Sequence, residues 1–185
     1  MNFFGRFFGH LNTVNRHRWK VFTACFKCGI PIHGLRHDLS KYSPTEFFAG
    51  VRYFQGNRSP NEKEREKFGY SAAWLHHKGR NRHHFEYWTD YNPIEKKVRP
   101  VKMPVRYVAE MFCDRVAASK IYGGERYDDA YALNYFLNGK GKRAMHPETS
   151  AELERLLRLL AEKGEEAAFA EIKRCVKKYK KSRDY

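Results

Sequence analysis

Apolar residues recur at helical spacing near the start of the chain and predict a first helix over residues 3–28. They form one stripe, interrupted by Arg6 and His10, that consists of Phe3, Phe4, Phe7, Phe8, Leu11 and Val14. The stripe is too polar for a signal peptide or a membrane span, both of which need an unbroken apolar run. We favour docking of this helix on the core, and binding within a lipid head-group layer is the alternative.

Capping patterns predict further helix starts, because a Ser or Thr is followed three residues later by Glu. These patterns are Ser43-Pro44-Thr45-Glu46, Ser59-Pro60-Asn61-Glu62 and Thr149-Ser150-Ala151-Glu152. With glycines as stops, the remaining predicted helices cover 32–39, 44–55, 60–77, 82–89, 104–122, 126–138, 150–163 and 165–181. Residues 97–102 could be extended, and no segment has the sustained alternation of a strand.

These elements predict an all-α fold, a compact helical bundle with additional C-terminal helices. The chain of 185 residues has the length of one domain, so we expect a single domain over 1–185. Its core would span about residues 10–160, and a basic helix or tail would follow at about 165–185.

Composition and charge refine this expectation. An aromatic content of 16% is too high for a disordered chain, and the net charge of +15 would concentrate anions such as nucleotides, nucleic acid or acidic lipid head groups. Much of the excess lies near the end of the chain, in Lys173, Arg174, Lys177, Lys178, Lys180, Lys181 and Arg183. Such a run is more often a solvated face or tail than a binding site.

The four cysteines indicate a reduced, cytoplasmic protein, because they lack the density and spacing of a disulfide scaffold. Cys25 and Cys28 form a lone CxxC pair with no second pair to complete a zinc ribbon. Two thiols packed on one helix are therefore the favoured interpretation.

Two polar side chains are predicted to point into the core. His17 shares a helical stripe with Val14 and Val21, although a histidine on an apolar face is commonly satisfied by one hydrogen bond. Asp114 has apolar neighbours at helical spacing, namely Tyr107, Met111, Ala117, Ala118 and Ile121. A buried carboxylate must be protonated, paired or bound to metal. A structural ion pair with Arg115 or Arg106 is the rival interpretation for Asp114.

More candidate ligands cluster between these two positions. Adjacent side chains such as His37 and Asp38 diverge by about 100° on a helix, so they could serve two neighbouring ions or one ion at a helix end. Two histidine pairs flank the turn at Gly79, and they are His76-His77 and His83-His84. On periodicity His76 is the better inward candidate of the first pair. The alternative for the segment is a basic loop that contacts phosphates. Mixed His and Asp ligands favour Mn, Fe, Zn or Ni over Ca.

The order of these residues resembles the H…HD…H…H…D arrangement of the HD superfamily of metal-dependent phosphohydrolases. It runs from His17 through His37-Asp38 with Lys41 and two positions within 76–84 to Asp114, and Leu35 to Lys41 is similar to the L-x-HD segment of that superfamily. More closely, the chain resembles an uncharacterised family of small bacterial and phage proteins over residues 15 to about 150. The histidine-rich stretches, with the motifs HDLSK and HHxxxNxHH, carry that likeness.

The resemblance implies an HD-like fold in which His17, His37, Asp38 and Asp114 bind one divalent ion and Asp38 bridges to a second. The second ion would be held by His76 or His77 with His83 or His84. The implied reaction is hydrolysis of a nucleotide or other phosphate ester. Asp38, Lys41 and His146 are then the candidate catalytic residues, and the phosphate would be held by Lys41, Arg80, Asn81 and Arg115. For His146, a structural turn before a helix is an equal alternative.

Two other functions remain open at this point. The same His and Asp ligands could carry a di-iron centre, as in HD relatives that are oxygenases. A non-enzymatic nucleic-acid-binding protein could use the basic tail, with Tyr179 and Tyr185, and the Arg80–Arg82 loop.

Overall fold

The expectation of an all-α fold is confirmed by the computed structural model, which describes residues 1–180. Eight α-helices lie within these residues, and they are α1 (Phe3–Lys27), α2 (Pro31–Arg36), α3 (Pro44–Arg52), α4 (Pro60–Phe68), α5 (Ala72–Lys78), α6 (Val105–Gly123), α7 (Tyr131–Asn138) and α8 (Pro147–Tyr179). Short 3₁₀ turns cover Leu39–Tyr42, Phe85–Tyr87 and Gly124–Arg126. No helix among residues 1–180 has both the length and the apolar character needed to cross a bilayer.

The predicted helix over 60–77 is wrong in the structure, which breaks it into α4 and α5. Gly69 ends α4 in a left-handed conformation with φ of 78°, and Ser71 caps α5 by accepting from the backbone N–H of Trp74. The helix that leads into the Gly79 turn, α5, is therefore only seven residues long. This break decides which histidine of the first pair points inward.

The predicted helix over 82–89 is wrong, because these residues form a loop with the 3₁₀ turn Phe85–Tyr87, and a small antiparallel hairpin follows it. Strand β1 (Thr89–Asn92) pairs with β2 (Lys97–Pro100), with Thr89 opposite Pro100. The predicted extended segment at 97–102 thus matches β2, whereas β1 was missed. Both strands are mostly exposed, so no buried apolar alternation marks them in the sequence.

Helix α6 runs through the centre of the core. Its residues Val108, Phe112 and Val116 are buried among side chains from α1, α7 and α8. The three thiols of Cys25, Cys28 and Cys113 are buried there as well, and the sulfurs of Cys28 and Cys113 lie 3.6 Å apart. This arrangement agrees with the interpretation of the CxxC pair as packed thiols.

The C-terminal helices predicted over 150–163 and 165–181 correspond to the two halves of α8, which ends at Tyr179. Gly164 interrupts the helix with φ of 79° and ψ of 177°, close to the predicted stop. The helix begins earlier than predicted, at Pro147, because His146 rather than Thr149 is its N-cap. Thr149 is buried and accepts from the backbone N–H of Met103. The predictions for Lys181, Arg183 and Tyr185 lie outside the described residues.

The first turns of α1 pack on α3 through a close approach of His10 to Gly50. A Cβ at position 50 would lie only 2.1 Å from His10 Nε2, so the imidazole occupies the space that a side chain would fill. Burial, with Lys41 nearby, lowers the pKa of His10 to about 4, and the ring is therefore neutral at pH 7.

We predict that Gly50→Ala lowers the free energy of unfolding by about 1–3 kcal/mol, because α3 or His10 must shift to admit the methyl group. Urea denaturation measures this change. Gly79→Ala is the matched control, since its Cβ would meet the nearest atom at an ordinary 3.4 Å. Equal stability of the two variants would contradict the packing described here.

Candidate metal centre

Five segments bring histidines and aspartates to one buried point. His17 comes from α1, His37 and Asp38 from the turn after α2, His77 from α5, His83 and His84 from the following loop, and Asp114 from α6. They form two groups whose ligand atoms lie within 4.8 Å of one another. The first group is His17, His37, Asp38 and Asp114, and the second is Asp38, His77, His83 and His84.

Asp38 belongs to both groups and has an unusual backbone. Its φ of 54° places it in the left-handed region, which only a few per cent of non-glycine residues adopt. Arg18 holds the turn in place by donating from Nε to the His37 carbonyl at 2.8 Å and from Nη2 to the Leu35 carbonyl at 3.0 Å. The helix predicted to 39 thus ends at Arg36, and the turn lets His37 and Asp38 face the same point.

The first group is arranged around Nε2 atoms. His17 Nε2 lies 3.0 Å from Asp114 Oδ1 and 3.4 Å from His37 Nε2, and His37 Nε2 lies 3.2 Å from Asp38 Oδ2. The prediction that His17 and Asp114 point inward is confirmed. The carboxylate of Asp114 contacts the two imidazoles, and its side chain is 19% exposed.

The second group uses the other oxygen of Asp38. Asp38 Oδ1 lies 3.3 Å from His77 Nε2 and 3.4 Å from His83 Nε2, and the His84 ring lies 4.1 Å from that of His83, centroid to centroid. The two oxygens of a single carboxylate therefore face two different sets of imidazoles.

The residues of this centre fit a divalent transition metal. Asp38 Oδ1, His83 Nε2 and His84 Nε2 are buried and make no hydrogen bond. Unsatisfied buried polar atoms cost about 1–3 kcal/mol each, and these three meet at one place. A cation that accepts their lone pairs removes that cost, and imidazole with carboxylate suits Mn, Fe, Zn or Ni.

Two buried glutamates support the imidazoles from behind. Glu110 Oε1 lies 3.0 Å from His37 Nδ1 and 3.1 Å from His83 Nδ1, and Glu46 Oε2 lies 2.7 Å from His77 Nδ1. Because an ionised carboxylate only accepts, each Nδ1 carries the proton of its hydrogen bond, and each Nε2 faces the centre. This is the outer-shell arrangement that fixes ring orientation at metal sites. Although burial opposes protonation, Asp38 raises the pKa of both His37 and His77, so an ion at the centre would displace a proton from their Nε2 atoms.

The charges of the centre reinforce this assignment of roles. Although burial opposes ionisation, His37 and Lys41 hold the pKa of Asp38 well below its usual range, and His17 and His37 do the same for Asp114. Burial, with neighbouring histidines, lowers the pKa of both His83 and His84. The acids are thus anionic and these two imidazoles neutral, the states that metal ligation requires.

A cavity of about 580 Å³ opens beside both groups. Its walls include His17, Asp38, His77, His84 and Asp114. Five cationic side chains also line it, and they are Lys41, Arg58, Arg65, Arg115 and Arg143. Glu62 and Glu86 line it too, so outside the centre and its supporting Glu46 the wall carries more cations than acids, and the cavity has the size of a ligand site.

The sequence interpretation of His76 was wrong. His77 is buried at 3% exposure and reaches Asp38, whereas the Nδ1 of His76 is bound to Glu46 at 2.6 Å. The inward face was estimated for one long helix that included Phe68. Because α5 starts afresh at Ala72, its buried positions are Ala73 and His77, one turn apart.

Three further sequence candidates are placed elsewhere by their contacts. The Asn81 side chain is buried and donates to Ser40 Oγ and the His77 carbonyl, so it positions the loop rather than a substrate. Arg80 is exposed and donates to the His76 carbonyl. His146 caps α8 by accepting from the backbone N–H of Glu148, as in the structural alternative, and neither Arg80 nor His146 lines the cavity.

Sequence reasoning missed Glu46, Glu110 and His33. Glu46 matched a capping pattern, but Ser43 makes no side-chain cap bond and the carboxylate turns inward to His76 and His77. Glu110 lies one turn before Asp114 on α6, and this spacing alone could have revealed a second inward acid. His33 Nδ1 contacts the remaining oxygen of Glu110 at 2.9 Å.

A scan against protein-family models matched residues 6–159 to a family of unknown function. The chain belongs to this family, DUF5662. The matched span of DUF5662 contains every candidate ligand and both supporting glutamates, and it ends within the first half of α8. No curated protein and no solved structure matched the chain.

We predict that Glu110→Gln weakens binding of Mn²⁺ or Zn²⁺ by about 10–100-fold, because His37 and His83 lose the acceptor that orients them. Competition with a chelating dye measures the affinity. Glu162→Gln, an exposed change on α8, is the control and should bind as the unmodified protein does. Equal affinity of all three proteins would refute the supporting role of Glu110.

We also predict that His146→Ala lowers the free energy of unfolding by about 0.5–1 kcal/mol, because the N-cap acceptor of α8 is lost. Metal affinity should stay unchanged, since His146 does not reach the centre. His84→Ala is the comparison that removes a ligand. Denaturation and metal titration of both variants check this, and a loss of metal from His146→Ala would be inconsistent with its position.

Proposed function

We propose that this protein is a metal-dependent phosphohydrolase of the HD type, with two divalent transition-metal ions at the candidate centre. The observation that carries the proposal is the buried carboxylate of Asp38, whose two oxygens face two separate groups of imidazoles. His17, His37, Asp38 and Asp114 would hold one ion, and the other would be held by Asp38, His77, His83 and His84.

Bound ions would lower the pKa of a coordinated water to about 7 and stabilise negative charge on phosphoryl oxygens. The chain itself contributes orientation and charge. Glu46 and Glu110 keep the Nε2 atoms directed at the centre, and the depressed pKa values of Asp38 and Asp114 keep both acids anionic. No side chain needs to act as nucleophile, because water is the attacking group in hydrolysis.

Lys41 and Arg115 are the proposed phosphate-binding residues. Lys41 Nζ lies 2.6 Å from Asp38 Oδ2 and on the cavity wall, so it places a positive charge beside the first group. Arg115 follows Asp114 on α6 and lines the same cavity, and its Nε is buried without a hydrogen-bond partner. A guanidinium with a free donor suits a phosphate oxygen.

The walls of the cavity support a nucleotide or another phosphate ester as substrate. Aromatic side chains line the cavity together with the cations, and they are Phe54, Trp74, Phe85, Tyr122, Tyr131 and Tyr135. Rings of this kind can cover the organic part of an ester while the cations hold its phosphate. A cavity of about 580 Å³ is large enough for such a molecule.

Nucleic-acid binding through the Arg80–Arg82 loop has less support. Arg80 donates to the His76 carbonyl, and Arg82 donates to Tyr107 Oη and stacks on Tyr87. These cations already have partners within the fold.

The four unbonded cysteines suit a reducing compartment, and we propose the cytoplasm.

The decisive experiment combines metal analysis with a screen of phosphorylated compounds in the presence of Mn²⁺. We expect the unmodified protein to bind about two ions and to release inorganic phosphate. The Asp38→Asn variant should lose both metal and activity, because the Asp38 carboxylate belongs to both groups of ligands. Arg115→Gln should keep the metal and lower kcat/KM by about 10–100-fold, because a charged hydrogen bond to phosphate is lost.

Arg126→Gln, an exposed change outside the cavity, is the control and should leave kcat/KM unchanged. Oxygen consumption is followed in parallel, because a di-iron oxygenase would use the same ligands. Bound metal with oxygen uptake and no phosphate release would replace the hydrolase by the oxygenase. Absence of stoichiometric metal under all conditions would remove both enzymes.

A further inference from the structure

Helix α1 carries a stripe of exposed apolar side chains on the face that points away from the core. Residues 4, 8, 11, 19, 22 and 26 share this face at the helical period, in two groups separated by the exposed Asn15, and they are Phe4, Phe8, Leu11, Trp19, Phe22 and Phe26. Phe4, Phe8, Trp19 and Phe26 are between 61% and 68% exposed, and Leu11 and Phe22 are half-buried. Single exposed apolar residues are common, but a row along one helix marks an interaction surface.

The opposite face of α1 already has its partners. His10, Val14, His17, Val21 and Ala24 are buried there against the core and the candidate metal centre. The exposed stripe therefore contributes to neither. The stripe is therefore open to a binding partner.

The charge around the stripe is of one sign. Residues 1–37 contain six Lys and Arg residues and no Asp or Glu. Arg16, Lys20 and Lys27 lie at the helical angle next to the stripe, so cations flank the apolar row. Helix α2, which packs on α1 through Gly34, adds Ile32 and Leu35 at 63% and 64% exposure.

Three kinds of partner would cover an apolar row, and the observations favour one of them. A second copy of the chain would bring two such unopposed positive surfaces together, which is repulsive. Nucleic acid would offer negative charge, but interfaces with nucleic acid are polar, whereas this row is Phe, Leu and Trp. A bilayer with anionic lipids matches both the apolar row and the cations beside it, because its interior is apolar and its surface is negative.

We propose that the outer face of α1 binds the head-group layer of a membrane that contains anionic lipids. The helix of 25 residues would lie in the plane of the interface, with Phe4, Phe8, Trp19 and Phe26 inserted and Lys20 and Arg16 at the lipid phosphates. The buried face, with His17, then points away from the lipid. This inference does not rest on the proposed hydrolysis.

The test is co-sedimentation of the full chain with phosphatidylcholine vesicles that contain or lack phosphatidylserine. We expect binding to the anionic vesicles that weakens about tenfold or more without phosphatidylserine or in high salt. Phe8→Glu combined with Phe26→Glu should reduce binding about tenfold or more, because two inserted rings are lost. Ile94→Glu, at a position 90% exposed on the hairpin, is the matched control and should bind normally.

Far-ultraviolet circular dichroism verifies that each variant is folded, and a blue shift of Trp19 fluorescence on vesicle addition reports insertion. Lys20→Glu should weaken binding, whereas Lys63→Glu on the exposed side of α4 should not. Failure of the unmodified protein to bind anionic vesicles overturns the proposal. So does a dimer, or RNA binding, that the double substitution on α1 abolishes while vesicle binding persists.

Discussion

Burying the carboxylate of Asp38 removes an anion from water, which costs several kcal/mol unless positive groups or a cation surround it. The fold supplies that environment from five segments that are far apart in the chain. Histidines approach each oxygen, Lys41 lies against one of them, and Arg18 holds the turn that carries the carboxylate. Helices α1, α5 and α6 carry several of these partners. The geometry of the centre therefore depends on how these three helices pack.

The second layer explains why so many polar groups are buried in a small protein. Glu110 contacts His33, His37 and His83, and Glu46 contacts His76 and His77. Burial opposes the charge on both glutamates, yet hydrogen bonds from the histidines lower the pKa of each carboxyl. The imidazoles that face the centre are thereby fixed in direction, with Nε2 toward the centre, before any ion binds.

The sequence allowed prediction of what depends on local periodicity. The bounds of α6, the inward direction of Asp114 and the alignment of His17 with Val14 and Val21 follow from spacing along a regular helix. The burial of His77 rather than His76 depends on the break at Gly69. The periodic pattern of apolar residues runs across this break and did not reveal it. Glu46 could not be distinguished from a capping acid, because its role comes from helix α5, which is distant in sequence. Asp38 takes a left-handed backbone that its residue type does not require.

Helix α6 also sets where the length of this chain can change. Glu110 and Asp114 are one turn apart on it, about 6 Å along the axis, and they contact opposite sides of the His37 imidazole. Inserting or deleting one residue between them would rotate one carboxylate by about 100° and remove it from the centre. The turn between β1 and β2 has no such geometric register to keep. Insertions and deletions among relatives should therefore accumulate in the hairpin and be absent between positions 110 and 114.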